Sequence, residues 1–129
     1  MEKLVGTWVN ETDAMGLSVT TTQTFRPDGS YETRMVFALP GGGAQTVVHE
    51  GELDIGPDSF RARLIDGRTS VAGAAVPAMN HPERPFTEAE RAQTLGLLEQ
   101  SFPYSVDGDT LTTTAQSPVG EMTVVYHRA

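Results

Sequence analysis

Apolar and polar residues alternate with a period of two through most of this chain, in short runs separated by turn residues. Tyr31, Thr33, Met35, Phe37 and Leu39 share one side of an extended segment, with Glu32 and Arg34 on the other. Val47, His49, Gly51, Leu53 and Ile55 oppose Thr46, Glu50, Glu52 and Asp54, and Phe60, Ala62 and Leu64 oppose Arg61 and Arg63. Successive side chains of a strand point to opposite faces, so each run predicts a half-buried strand with one wet side. The acidic row of one strand then faces the basic row of the next across water. Such exposed pairs contribute about 0–1 kcal/mol each and read as a solvated surface.

The pattern predicts strands over 5–11, 17–25, 30–39, 44–55 and 59–66, and again over 102–106, 110–115 and 121–128. Arg26-Pro27-Asp28-Gly29, Pro40-Gly41-Gly42-Gly43, Gly56-Pro57-Asp58 and Asp107-Gly108 supply the turns between them. Residues 69–76 carry a weaker strand signal, and a poorly covered edge near 67–76 could pair two subunits into a homodimer. Pro77, Pro82 and Pro85 imply an irregular extended loop. Thr87-Glu88-Ala89-Glu90 has the form of a capping box, and Ala89, Ala92, Leu95 and Leu98 fall on one stripe of a helix over 87–100. Short strands at this spacing predict a mainly β protein: an antiparallel up-and-down barrel of eight or so strands. One helix is inserted at about 87–100, and residues 1–129 form a single domain.

Charge narrows the class of partner. Seventeen acidic against nine basic residues leave a formal charge of −8, which repels both phosphate backbones and anionic membrane surfaces. Neither nucleic acid nor a membrane is therefore expected as a partner. The chain has no Cys, which excludes disulfides, thiolate metal sites and a Cys nucleophile. Met1-Glu2-Lys3-Leu4-Val5-Gly6 has no apolar signal core, and no stretch reaches the roughly 20 apolar residues of a membrane helix. The sequence thus reads as that of a soluble, cytoplasmic protein.

An up-and-down barrel pairs its first strand with its last. That brings Trp8 of Gly6-Thr7-Trp8, the chain's single Trp, beside Arg128 of Tyr126-His127-Arg128, both in structural roles. Further pieces fall in between: Phe25-Arg26-Pro27-Asp28-Gly29-Ser30-Tyr31 and Tyr104-Ser105-Val106-Asp107-Gly108-Asp109-Thr110-Leu111. In this order they resemble small bacterial lipocalin-like (calycin-type) barrel domains. The resemblance implies a β-barrel with an apolar cavity that takes a small molecule. One departure is plain: the usual lipocalin helix follows the last barrel strand, whereas residues 87–100 precede the final three. This position suggests that residues 77–100 form a lid or plug across one opening.

Candidate chemistry follows from the interior face. His49 sits on the apolar side of its strand, where burial lowers an imidazole's pKa and leaves a neutral base at pH 7. Tyr31, Tyr104 and Tyr126 can aim phenols at a ligand, and Met35, Phe37, Leu53, Phe60, Met79 and Met122 can line an apolar cavity. His49, His81 and His127 show no metal-ligand spacing, Gly41-Gly42-Gly43 lacks the Lys of a phosphate loop, and no Gly-x-Ser-x-Gly elbow occurs. No metal and no cofactor are expected.

Two functions remain. By resemblance, the first is a carrier or sensor that binds a small, largely apolar molecule. The second is a cofactor-independent cyclase or isomerase that folds a hydrophobic biosynthetic intermediate, with His49 and Tyr104 as catalytic residues.

Overall fold

The computed structural model describes residues 4–14, 17–117 and 120–129. Strands β1 (Gly6–Ala14), β2 (Leu17–Phe25), β3 (Ser30–Ala38), β4 (Ala44–Ile55) and β5 (Ser59–Ala72) form the first half. After a 3-10 turn (Pro77–Met79) come β6 (His81–Pro85), helix α1 (Glu88–Leu98), β7 (Phe102–Asp107), β8 (Thr110–Ser117) and β9 (Gly120–Arg128). Every pairing is antiparallel. Eight strands close into a barrel in the order β1-β2-β3-β4-β5-β7-β8-β9 and back to β1, with β6 added beside β5. The helix falls where the capping box predicts it: Thr87 accepts from the Glu90 backbone N–H, and the Glu90 carboxylate accepts from Thr87 N–H. No described helix is long and apolar enough to cross a membrane.

The alternation in β3 and β4 holds as read, and their ladder runs without a register shift from Ser30–Glu52 to Ala38–Ala44. In the turn that precedes β3, Asp28 Oδ1 accepts from both the backbone N–H and the hydroxyl of Ser30. On the outer face Arg63 and Glu52 pair at 2.6 Å, and Arg68 gathers Glu32, Glu50, Asp66 and Glu83 within 3.8 Å. Val48 also faces outward yet is buried between its cross-strand neighbours Arg34 and Arg68, whose aliphatic stems are long enough to cover it.

Three expectations need correction. Residues 59–72 form one strand rather than two, broken in register where Glu50 faces Asp66 but Gly51 faces Leu64. The extra residue, Ile65, is half-exposed, and beyond this β-bulge the inward set shifts to Gly67, Thr69 and Val71. The Pro-rich stretch is not all loop: His81–Pro85 pairs with Arg68, Thr69 and Val71, so the edge proposed for a dimer is already covered. An edge strand can carry Pro82 and Pro85 because its outer N–H groups have no ladder partner to lose. Ala89 and Ala92 are exposed, and the helix rests on half-buried Thr94, Leu95 and Leu98.

The wall is firm at one end and parted at the other. β1 and β9 pair only at Trp8–Arg128 and Val9–His127, and β5 and β7 only at Ser59–Pro103 and Phe60–Phe102. Both short ladders lie beside the buried cluster of Leu4, Trp8, Phe25, Tyr31, Phe60, Leu111 and Tyr126, which packs that end solid. Toward the other end the β5–β7 gap is bridged by α1. Arg91 donates to the Ile65 carbonyl on one side, and Gln100 exchanges hydrogen bonds with the Gln116 backbone on the other. The 77–100 segment therefore straps the side of the wall.

Candidate functional site

Register sorts the inward side chains into rows that cross the wall from strand to strand. At the packed end, Phe25, Tyr31 and Leu64 share a row with Gly6 and Gly51. The next row runs Arg128, Trp8, Gln23, Thr33, His49 and Gly67. Above it lie Asn10, Thr21, Met35, Val47 and Thr69, then Thr12, Val19, Phe37, Gln45 and Val71. The second row is a polar belt between an aromatic floor and an upper wall of mixed polar and apolar residues. Met35, Phe37, Val19 and Val47 in that upper wall are only half-buried.

Within the belt the polar groups pair. Tyr31 Oη and His49 Nδ1 lie 3.2 Å apart with the rings edge to face. Thr33 donates to Gln23 Oε1, and the Tyr126 hydroxyl lies within reach of Gln23 and Thr113. Burial pushes the His49 pKa down to about 4 and that of Tyr31 up to about 12. Burial also raises Tyr126, partly offset by Gln23 and Thr113. His49 is therefore neutral at pH 7 and Tyr31 keeps its proton. The N–H of a neutral imidazole is a weaker acid than a phenol, so we assign Tyr31 as the donor to Nδ1, which leaves the imidazole proton on Nε2. Among the described residues Nε2 has no hydrogen-bond partner. What His49 presents is thus a neutral N–H donor.

Two features of this region escape the alternation pattern. Gly67 stands opposite His49, and the Phe86 ring fills the room a side chain there would take; a Cβ on Gly67 would collide with Cε2 and Cδ2 of Phe86. Phe86 is held in place by donating its backbone N–H to the Gly67 carbonyl. Thr69, one row higher, is 2% exposed, and its hydroxyl has no partner. A glycine inside a strand is the one sequence signal that pointed here, since it often marks a close approach.

The remaining candidates are distributed as follows. Phe60 and Leu53 belong to the packed end, where Phe60 touches the rings of Phe25, Phe102 and Tyr104. Tyr104 donates its hydroxyl to the Gly56 carbonyl at 2.9 Å, so that phenol is engaged away from His49. Met79 and Met122 are 52% and 50% exposed, on the 3-10 turn and on β9. Trp8 and Arg128 meet as expected, and Trp8 Nε1 donates to the Leu4 carbonyl. No group of three or more His, Asp and Glu that could hold a metal occurs among the described residues.

A depression of about 280 Å³ opens at the parted seam, lined by Val9, Asn10, Glu11, Val125, His127 and Arg128. It lies chiefly on the outer side, and Asn10 Nδ2 spans the gap to the Val125 carbonyl. Comparison with protein-family models and with curated proteins finds no match for the chain.

Proposed function

We propose that this barrel binds a small, largely apolar molecule as a carrier or sensor, held against the polar belt at its parted end. The observation that carries the reading is the environment of His49. A neutral imidazole, oriented by Tyr31, offers one N–H donor beside half-buried Met35, Val47 and Phe37. Binding sites for small molecules combine apolar walls with a few polar groups in this way. The aromatic floor gives such a molecule a rigid stop, and the short ladders let the upper wall part around it. Kinship with calycin-type barrels is part of the same proposal, supported by the packing of Arg128 on Trp8.

A cyclase or isomerase would use the same belt differently. Nε2–H could polarise a substrate carbonyl, but with Tyr31 donating to Nδ1 the ring has no lone pair to abstract a proton. This favours binding over base catalysis. Native mass spectrometry of freshly purified protein separates the two. A carrier retains a co-purified molecule unchanged, and an enzyme converts it on incubation. Protein that carries nothing, and takes up no apolar probe, contradicts both.

A further inference from the structure

The ligand's polarity can be read from the interior, on the assumption that the binding reading above is right. His49 and Thr69 lie on adjacent strands with both side chains inward. Thr69 faces Val47 and Gly67 faces His49, so Thr69 and His49 are diagonal neighbours in the ladder, about 7–8 Å apart at Cα. Each holds a polar hydrogen the protein leaves unused: Nε2–H on His49 and the hydroxyl of Thr69. A buried, unpaired hydroxyl is costly and uncommon in a folded protein. Two of these donors at such a separation can both reach one acceptor atom placed between them.

We infer that His49 Nε2 and Thr69 Oγ1 together hold a single uncharged oxygen acceptor, the carbonyl of a neutral ligand with an otherwise apolar body. Charge sets the ligand's neutrality. In the two rows that carry these donors, Arg128 is the one inward cation, and it is occupied by the Trp8 face, the Val5 carbonyl and Asp109. A carboxylate would be stripped of water with no counter-charge, inside a chain of net charge −8. No Asp or Glu stands in those rows to hold an amine either. The space over Gly67 is filled by Phe86, on the strap between β6 and α1. The ligand body takes the place of that ring, and the strap moves to admit it.

The test compares three probes of matched shape: 2-acetylnaphthalene, 2-ethylnaphthalene and 2-naphthoate. Each is titrated at pH 7.5 against the protein loaded with the neutral dye N-phenyl-1-naphthylamine. The acetyl compound is expected to bind roughly tenfold tighter than the ethyl compound, the yield of one to two buried hydrogen bonds, with naphthoate the weakest. Thr69→Val, which removes one of the two donors, should shrink the acetyl advantage over the ethyl compound measured in the same variant, and should raise the Tm of the unliganded protein by removing the unpaired hydroxyl. Equal binding of the acetyl and ethyl compounds, or tighter binding of naphthoate, overturns the inference while the binding function stands. A lower Tm for unliganded Thr69→Val also overturns it, since the hydroxyl then has a partner. If neither the dye nor any probe binds, the proposed function falls, and the inference with it.

Discussion

Arg128 lays its guanidinium over the indole of Trp8, 4.1 Å from the ring centroid, and in doing so passes through the space a side chain on Gly6 would fill. A Cβ there would come within 2.6 Å of Arg128 Nη1, and Gly6 has a φ of +135°, in the region that L side chains rarely adopt. The Gly-x-Trp spacing therefore has a physical cause. Gly6 clears the path by which the last strand reaches back to cap the first, and the same guanidinium donates to the Val5 carbonyl at 3.1 Å.

Gly6→Ala should consequently destabilise the fold by about 2 kcal/mol, from backbone strain plus displacement of Arg128. Arg128→Met removes the collision but not the strain. In urea unfolding the double variant should lose less than the sum of the two single losses. Additive losses would mean that the two residues do not share this space.

Acid should weaken the protein through His49. Unfolded, the imidazole takes its proton below its ordinary pKa of 6.5; folded, it resists protonation until about pH 4. Between those values the unfolded chain binds more protons, so stability falls as pH falls, by about 3 kcal/mol in all. His49→Gln should remove that share of the slope, read as the difference between the two proteins in urea midpoints from pH 7 to pH 4. At the alkaline end Tyr31 has the opposite sense. It holds its proton to about pH 12 in the fold and 10 outside it, so its contribution is lost as pH rises through that window.

Tyr31→Phe leaves His49 Nδ1 buried without a donor. The expected loss is about 1–2 kcal/mol. Nitrogen-15 NMR of the imidazole supplies the sharper check, because the proton preference for Nε2 should weaken once the phenol is gone. An unchanged tautomer ratio would contradict the assignment of Tyr31 as donor.

Much of this architecture was legible in the residues, and the exceptions trace to two causes. Period-two alternation in β3 and β4 placed Tyr31, His49 and Leu53 inside, and ring closure placed Trp8 beside Arg128. Neither inference needs more than a strand's geometry and a closed sheet. The inward set beyond Leu64 was not legible, because the extra residue at Ile65 reverses the alternation and leaves no compositional mark. Thr69 and Gly67 were hidden for that reason. Phe86 was hidden by another: it reaches the barrel from a Pro-rich segment, and its placement depends on a tertiary contact with Gly67.

That contact gives a prediction of its own. Gly67→Ala thrusts a methyl group into the Phe86 ring and should cost about 1–3 kcal/mol by overpacking. In a Phe86→Ala background the same change should be nearly neutral, since the ring is no longer there. Equal costs in both backgrounds would show that Phe86 does not occupy the space over Gly67.

The helix tests the strap. Thr87→Ala removes the cap that the Glu90 N–H depends on and should cost about 1 kcal/mol. Glu90, held down to a pKa of about 2 chiefly by Arg84, also ties the helix start to β6. Hydrogen exchange in α1 should accelerate in this variant while β1–β4 stay protected; uniform acceleration would mean that the strap and barrel open together.

Binding inside the barrel is most directly tested by backbone amide shifts recorded while N-phenyl-1-naphthylamine is titrated into the labelled protein. Saturable changes concentrated at Met35, Val47, His49, Gly67 and Thr69 are the predicted result. Changes confined to Val9, Glu11, Val125 and His127 on the outer seam, or no saturation at all, would contradict it.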